Sequence, residues 1–371
     1  MENLILRDTN RVRLTSWGKY GYSSTKRTLQ IANIISIAGF DLVDMPRKVT
    51  LNRWQRYAKG LYFLNKFRFP IKPDPRMIAF CGYSYEVYRQ AFSQHCGKKL
   101  FLLEEPNNFI AYYAAQEAGF KILVLPHNLE TLMAGSDFFT GRGLPHCLEM
   151  EIHHLAMADA VFCISREEQW LLRSRQVEAD LLPYYPPEQE ISDLLKIRDA
   201  RQKLSAEKRP FLMLGSAINA HTLAGMIVQI EWLKQIYESL PFEVDIVGYG
   251  TEQLQPYIEG HPAFRLHGTV EPQQLEAMTI NARAMLIHQS SGVGALTRIP
   301  EMLVAGVPVI ANSHAARSAF HYPGVSIYNN PDELATLIQE PLEEPALIPS
   351  PIVDEKRLIH AVQCLSHRVR E

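Results

Sequence analysis

Gly292-Val-Gly-Ala-Leu-Thr-Arg-Ile-Pro-Glu-Met-Leu-Val-Ala-Gly-Val-Pro-Val-Ile-Ala311 is the stretch that decides the reading of this chain. Gly292 and Gly294 open a loop, Arg298 follows, and an apolar helix carrying Glu301 runs to a stop at Gly306. Val307–Ala311 then reads as a buried strand. Glycines let a ligand approach the backbone closely. The first amides of a helix have no internal acceptor and lie at the positive end of its dipole, an arrangement suited to phosphate. Arg298 adds a planar guanidinium that pairs with phosphate through two N–H groups. Glu301 is placed to accept hydrogen bonds from sugar hydroxyls. Plainer readings stand beside these: turn glycines, a surface ion pair at Arg298, and at Glu301 a first-turn acid favouring the dipole.

Working outward, short apolar runs alternate with helical patterns, the mark of parallel α/β architecture. Strands are expected in the second half at Phe211–Gly215, Val244–Val247, Phe264–His267, Ala284–His288, Val307–Ala311 and Val325–Tyr328. The first half offers Val12–Trp17, Phe40–Met45, Met77–Cys81, Leu100–Leu103, Ile122–Leu125 and Ala160–Ser165. Between the halves lie the stiff Pro183-Tyr-Tyr-Pro-Pro-Glu188 and a charged helix over Ile191–Lys208. The expectation is two Rossmann-like, doubly wound domains facing across a cleft: an acceptor-side domain over 1–185 and a nucleotide-sugar domain over 186–352. A last helix over 353–371 is expected to pack back on the first.

A chain of 371 residues, 47% apolar and 21% charged, is long enough for two domains with large cores. A net charge of −2 argues against a nucleic-acid partner held by bulk charge. Five scattered cysteines without C-x-x-C fit a reducing compartment better than a disulfide framework. No apolar run approaches the roughly 18 residues of a membrane span, and the N-terminus lacks a signal peptide's apolar core. The compartment expected is the cytoplasm, with a peripheral place on the inner membrane face as an extension. His146–His154 gathers five histidine and glutamate side chains but lacks H-E-x-x-H spacing, so no metal is expected.

The quoted stretch resembles the donor site of GT-B glycosyltransferases, especially the retaining family 4 type, whose pattern there is E-x-F-G-x-x-x-x-E-A-M-A-x-G-x-P-V. Three further stretches fall in order with that family: Val244-Asp-Ile-Val-Gly-Tyr-Gly250, Arg265-Leu-His-Gly-Thr-Val270 and Asn281–Ser290. The resemblance implies a nucleotide-diphosphate sugar as donor substrate, with no separate cofactor. It implies donor contacts from Gly215, Ser216, Gly248, Gly268, Val270, Gly292 and Gly294, phosphate binding by Arg298, and ribose binding by Glu301. Val293 stands where the family's first glutamate contacts the transferred sugar, so the E-x7-E pair is divergent. A sub-group with glycine, glycine and a basic residue here is the better match for Gly292, Gly294 and Arg298. After Gly215 the family's arginine is replaced by Ser216, which leaves Arg298, with Arg317, to carry charge.

In the first half, Ser16-Trp-Gly-Lys-Tyr-Gly-Tyr-Ser-Ser24 resembles the family's opening glycine loop, with Gly18 and Gly21 bordering the sugar. Leu125-Pro-His-Asn-Leu-Glu130 resembles its H-N-x-E turn, which implies that His127 faces the reacting sugar. A histidine suits that place because its proton occupancy changes near neutral pH. Residues 47–72 hold eight basic side chains and no acid, interleaved with Trp54, Tyr57, Tyr62, Phe63, Phe67 and Phe69. That composition suits a helix lying on anionic lipid or, equally, a basic solvated face with its aromatics in the core. The function expected is glycosyl transfer to a hydroxyl acceptor, a glycan or lipid-linked precursor. A non-catalytic nucleotide-binding or partner subunit and a sugar-nucleotide epimerase remain as alternatives.

Overall fold

The structure, a computed structural model, describes residues 3–9, 23–46, 48–69, 74–105, 108–132, 147–204 and 209–367. The chain divides into two compact units, residues 1–183 with 351–371, and residues 184–350. The first unit runs β1 (Leu4–Asp8), α1 (Ser23–Ile37), β2 (Asp41–Asp44), α2 (Arg53–Phe67), α3 (Pro75–Gln94), β3 (Leu100–Leu103) and α4 (Ile110–Glu117). It continues with β4 (Lys121–Val124), α5 (Leu148–Leu155), β5 (Ala160–Cys163), α6 (Arg166–Ser174) and β6 (Asp180–Leu181). The second runs α7 (Glu188–Gln202), β7 (Phe211–Leu214), α8 (Ala220–Tyr237), β8 (Val244–Val247), α9 (Gln255–Ile258), β9 (Phe264–Gly268) and α10 (Pro272–Asn281). Then come β10 (Met285–Ile287), α11 (Arg298–Val304), β11 (Val309–Asn312), β12 (Val325–Tyr328) and α12 (Pro331–Gln339). A closing helix, α13 (Ile352–His367), belongs to the first unit.

Each unit is built on one six-stranded sheet, in the orders β2-β1-β3-β4-β5-β6 and β12-β11-β10-β7-β8-β9. Every strand pairing is parallel. Parallel sheets need helices on both faces, so their central strands read as unbroken apolar runs. The cores show this directly. Phe101, Leu103, Ile122 and Val124 pack on one face of the first sheet, while Leu100, Leu102 and Leu123 join Ile5 on the other. α13 closes that second face, with Leu358, Val362 and Leu365 packed among Ile31, Ile34 and Ile35. In the second sheet Leu212, Met285, Ile287 and Val309 face one core, and Phe211, Met213, Leu286 and Ile310 the other.

The structure corrects one strand expectation. Met77–Cys81 is helical, the start of α3, where Asp74 caps the amides of Arg76 and Met77 at 2.6 and 3.1 Å and Pro75 takes the first turn. Its apolar run is buried as helix surface, with Met77, Cys81, Tyr85, Tyr88 and Phe92 in one core. The first strand is Leu4–Asp8, and Val12–Trp17 lies outside the described residues. α2 and α3 cross at backbone contact: a Cβ on Gly60 would lie 1.9 Å from the Ile78 carbonyl oxygen, and one on Gly82 1.9 Å from that of Arg56.

Candidate functional site

In the second sheet the chain winds outward in opposite directions from the neighbouring strands β7 and β10. That reversal opens a crevice at the carboxyl ends of the strands, where ligands of doubly wound sheets bind. The residues singled out from sequence collect there. Gly215 and Ser216 follow β7, Gly248 follows β8, Gly268 ends β9 with Val270 just beyond, and the Gly292–Gly294 loop follows β10. The Gly248 amide donates to the Gly268 carbonyl at 2.8 Å, tying two of these turns together.

Arg298 lies across the reversal. A Cβ added to Gly215 would fall 2.7 Å from its Nη1, so the guanidinium rests directly on the β7 turn. Its Nε is buried without a hydrogen-bond acceptor. Burial, then the charge of Arg317, push its pKa down to about 10, with Glu301 pulling upward; it is a cation at neutral pH. A charge held out of water beside another cation is costly unless an anion joins it.

The loop before Arg298 adds donors. Among the described residues, none accepts a hydrogen bond from the backbone amides of residues 290–298. Gly292 and Gly294 carry φ of 106° and 73°, the left-handed conformation glycine tolerates. Arg317 fixes the loop by donating to the carbonyls of Gly294 at 2.9 Å, Val293 at 2.8 Å and His314 at 2.5 Å, and to Gln289 Oε1 at 3.1 Å. The carbonyls are thus engaged from one side. Arg317 shapes the loop rather than offering the free charge expected of it.

Other expected donors are engaged as well. Asn219 Oδ1 accepts from the amides of His221 and Thr222, capping α8, and His221 Nδ1 pairs with Ser291 Oγ at 2.7 Å. The Ser216 carbonyl accepts the Asn219 amide at 3.2 Å. α11 spans seven residues, too few turns for its dipole to matter beside a guanidinium. Its carbonyl end is held instead by Arg198, which donates to Leu303 and, at 2.8 Å, to Val304. Arg201 donates to the neighbouring Gly306 carbonyl at 2.9 Å. Glu301 is buried, and its Oε1 accepts the Tyr184 hydroxyl at 2.8 Å. That tyrosine went unread in the sequence because the proline-rich stretch around it reads as linker.

The first sheet also reverses, between β1 and β3. Glu104, just past β3, was likewise missed; an acid directly behind a wholly apolar central strand was the available signal. Its side chain is fully buried. Oε2 accepts the Thr28 hydroxyl at 2.5 Å and lies 3.1 Å from His127 Nε2, while Arg7 Nη1 is 3.8 Å from Oε1. His127, after β4, is therefore buried and held by a carboxylate, the arrangement that fixes one imidazole tautomer. Gly18 and Gly21 lie outside the described residues.

The basic stretch divides. Phe63 and Phe69 are buried among Tyr85 and Tyr113, and Lys59 and Lys66 pair with Glu86 and Glu117. Trp54, Leu61 and Tyr62 stay exposed on α2. His154 is buried, stacked on Phe109 at 4.4 Å, and among the described residues no histidine, cysteine or acid cluster is arranged to hold a metal. No described helix is long and apolar enough to cross a membrane.

No family model and no curated protein matches the chain. Solved structures do. Sucrose-phosphate synthase from Thermosynechococcus elongatus aligns over 100% of this chain and 94% of its own, with TM-score 0.58 and 16% identity. HepE from Anabaena, solved with UDP and glucose, aligns over 100% and 95%, with TM-score 0.56 and 11% identity. UDP-GlcNAc 2-epimerase from Methanocaldococcus jannaschii covers 97% and 99%, with TM-score 0.52 and 11% identity. The first two are GT-B glycosyltransferases. At these identities the likeness is one of fold: two parallel α/β units of GT-B type.

Proposed function

We propose that this chain is a glycosyltransferase that binds a nucleotide-diphosphate sugar at the carboxyl end of its second sheet and transfers the sugar to a hydroxyl acceptor. One observation carries the reading: the cation of Arg298, its Nε buried without an acceptor, lies on the Gly215 turn beside a loop of unaccepted amides. In glycosyl transfer the leaving group is a diphosphate, on which negative charge grows as the sugar departs. Donors fixed beforehand stabilise that charge better than water, which must reorient. Glu301, steadied by Tyr184, would hold the ribose. The fold likeness to HepE, solved with UDP and glucose, agrees with such a donor.

The proposal extends to the finer roles. His127, held by Glu104, faces the reacting sugar; Gly18 and Gly21 border it; and Gly215, Ser216, Gly248, Gly268, Val270, Gly292 and Gly294 form the donor's walls. Transfer retains configuration. The acceptor is a glycan or lipid-linked precursor, met at a membrane surface through residues 47–72. A second reading, nucleotide binding without transfer, is favoured by Val293, which puts no carboxylate where a transferred sugar would be gripped.

Calorimetric titration with UDP, GDP, ADP and dTDP tests the donor site, and incubation with the matching nucleotide sugar tests turnover. One diphosphate should bind well above its monophosphate. Binding with neither transfer nor donor hydrolysis would favour the second reading, and no binding by any of the four would remove the proposal.

A further inference from the structure

The first unit carries a cationic feature, largely within the residues 47–72 proposed above to meet a membrane surface, and its assignment sharpens that reading. Where α2 and α3 begin side by side, an open notch of about 350 Å³ is lined by Arg53, Arg56 and Arg76 with Tyr57 and Pro75, and by no acid. The other basic side chains along α2 have found carboxylates: Lys59 meets Glu86 at 2.8 Å, and Lys66 meets Glu117. The three arginines form no ion pair with any described residue. Basic groups on one helix therefore sort into a neutralised set and a set left open on one side.

Two are held in place. Arg56 donates its Nε to the Leu51 carbonyl at 3.2 Å and lies over the Tyr83 ring at 4.7 Å, which leaves its outer N–H groups unused. Arg53 sits over Tyr57 at 6.0 Å. The backbone contact of the two helices at Gly60 and Gly82 fixes the spacing of Arg56 and Arg76, which lie on different helices. At the helix starts, Asn52 Oδ1 accepts the Gln55 amide of α2, and Asp74 Oδ1 accepts the Arg76 and Met77 amides of α3. Asp74 is the nearest acid in sequence, and its Oδ1 is turned to those amides. Recognition here belongs to guanidinium forks, which suit the oxygen geometry of phosphate.

We propose that this notch is a binding site for a phosphate group, gripped by Arg53, Arg56 and Arg76. Two sources offer that chemistry, a free phosphate-bearing solute and a lipid headgroup. Trp54, 83% exposed on the same helix, is a built-in reporter that separates them. The three arginines lie in the first unit and Arg298 in the second, so loss of binding on substituting them is distinguishable from failure of the donor site.

The experiment has two arms. Equilibrium dialysis with inorganic phosphate measures the free ligand. Co-sedimentation with vesicles of phosphatidylglycerol and phosphatidylcholine, against phosphatidylcholine alone, measures the headgroup, with the Trp54 emission taken as the difference between the native chain and Trp54→Phe. Binding in either arm should weaken about fivefold for each of Arg53→Ala, Arg56→Ala and Arg76→Ala, as expected for removing one cation from a phosphate contact. Lys356→Ala, an exposed cation on α13, should change nothing. A blue shift of Trp54 in anionic vesicles assigns the headgroup; phosphate binding without vesicle binding assigns the solute. No binding in either arm, or binding weakened equally by Lys356→Ala and Arg76→Ala, overturns the proposal.

Discussion

The two sheets are both parallel and six-stranded, each reverses direction once, and they end in opposite chemistry. Where the first reverses direction, Glu104 is buried with Thr28 and His127 on its Oε2, while its Oε1 has no hydrogen-bond donor among the described residues and lies 3.8 Å from the Arg7 guanidinium. Where the second reverses, a guanidinium rests on a glycine turn beside amides that no described residue accepts. The fold supplies the place in both cases. Side chains decide whether that place holds a carboxylate of the protein's own or a cation that needs an anion.

The largest expected effect tests what the two units share. Each buries a histidine whose pKa burial pushes down to about 4: His154 in the first, and His288 in the second, where nearby His314 adds to the depression. The unfolded chain takes up these protons first as pH falls below 6.5, so stability present at neutral pH is lost between 6.5 and 4. Each histidine accounts for about 3 kcal/mol of that loss. In denaturant melts across this range, His154→Phe should remove about its own share. An unchanged acid slope would mean that the imidazole protonates without leaving its site.

The second prediction goes to the contrast itself. Arg298→Ala should weaken diphosphate binding by about 2 kcal/mol, the scale of charge-assisted hydrogen bonds. It should leave the melting temperature unchanged or raised, because the cation is buried beside Arg317 without a carboxylate bond. A variant that binds normally but melts early would make Arg298 a structural group and erase the difference between the sheets. The smallest effect belongs to the first sheet. Glu104→Gln should slow turnover about fivefold through a weaker hold on His127, with diphosphate affinity unaltered. A drop in donor affinity instead would show that the two strand ends do not divide the work as their chemistry suggests.

Much of the architecture was legible because parallel strands buried on both faces must be apolar throughout, as at Leu100–Leu103 and Phe211–Leu214. The same rule misled at Met77–Cys81, where a helix buried on most sides is equally apolar; Asp74-Pro75, a helix-start signal, was the overlooked arbiter. Gly292, Gly294 and Arg298 were legible as a group because loop and helix adjoin in sequence. The turn of Gly215 beneath Arg298 was not, since that contact exists only after β7 and β10 pair. Glu104 and Tyr184 carry no motif; burial and partners alone reveal them.

The row of amides from 290 to 298 has a consequence for how the chain meets deuterated solvent. Backbone protons without an acceptor exchange without any opening of the fold. This loop should therefore label within the earliest exchange times while β7 and β10 beside it stay dark, and a bound diphosphate should close it. That footprint can be read by mass spectrometry before any acceptor sugar is known.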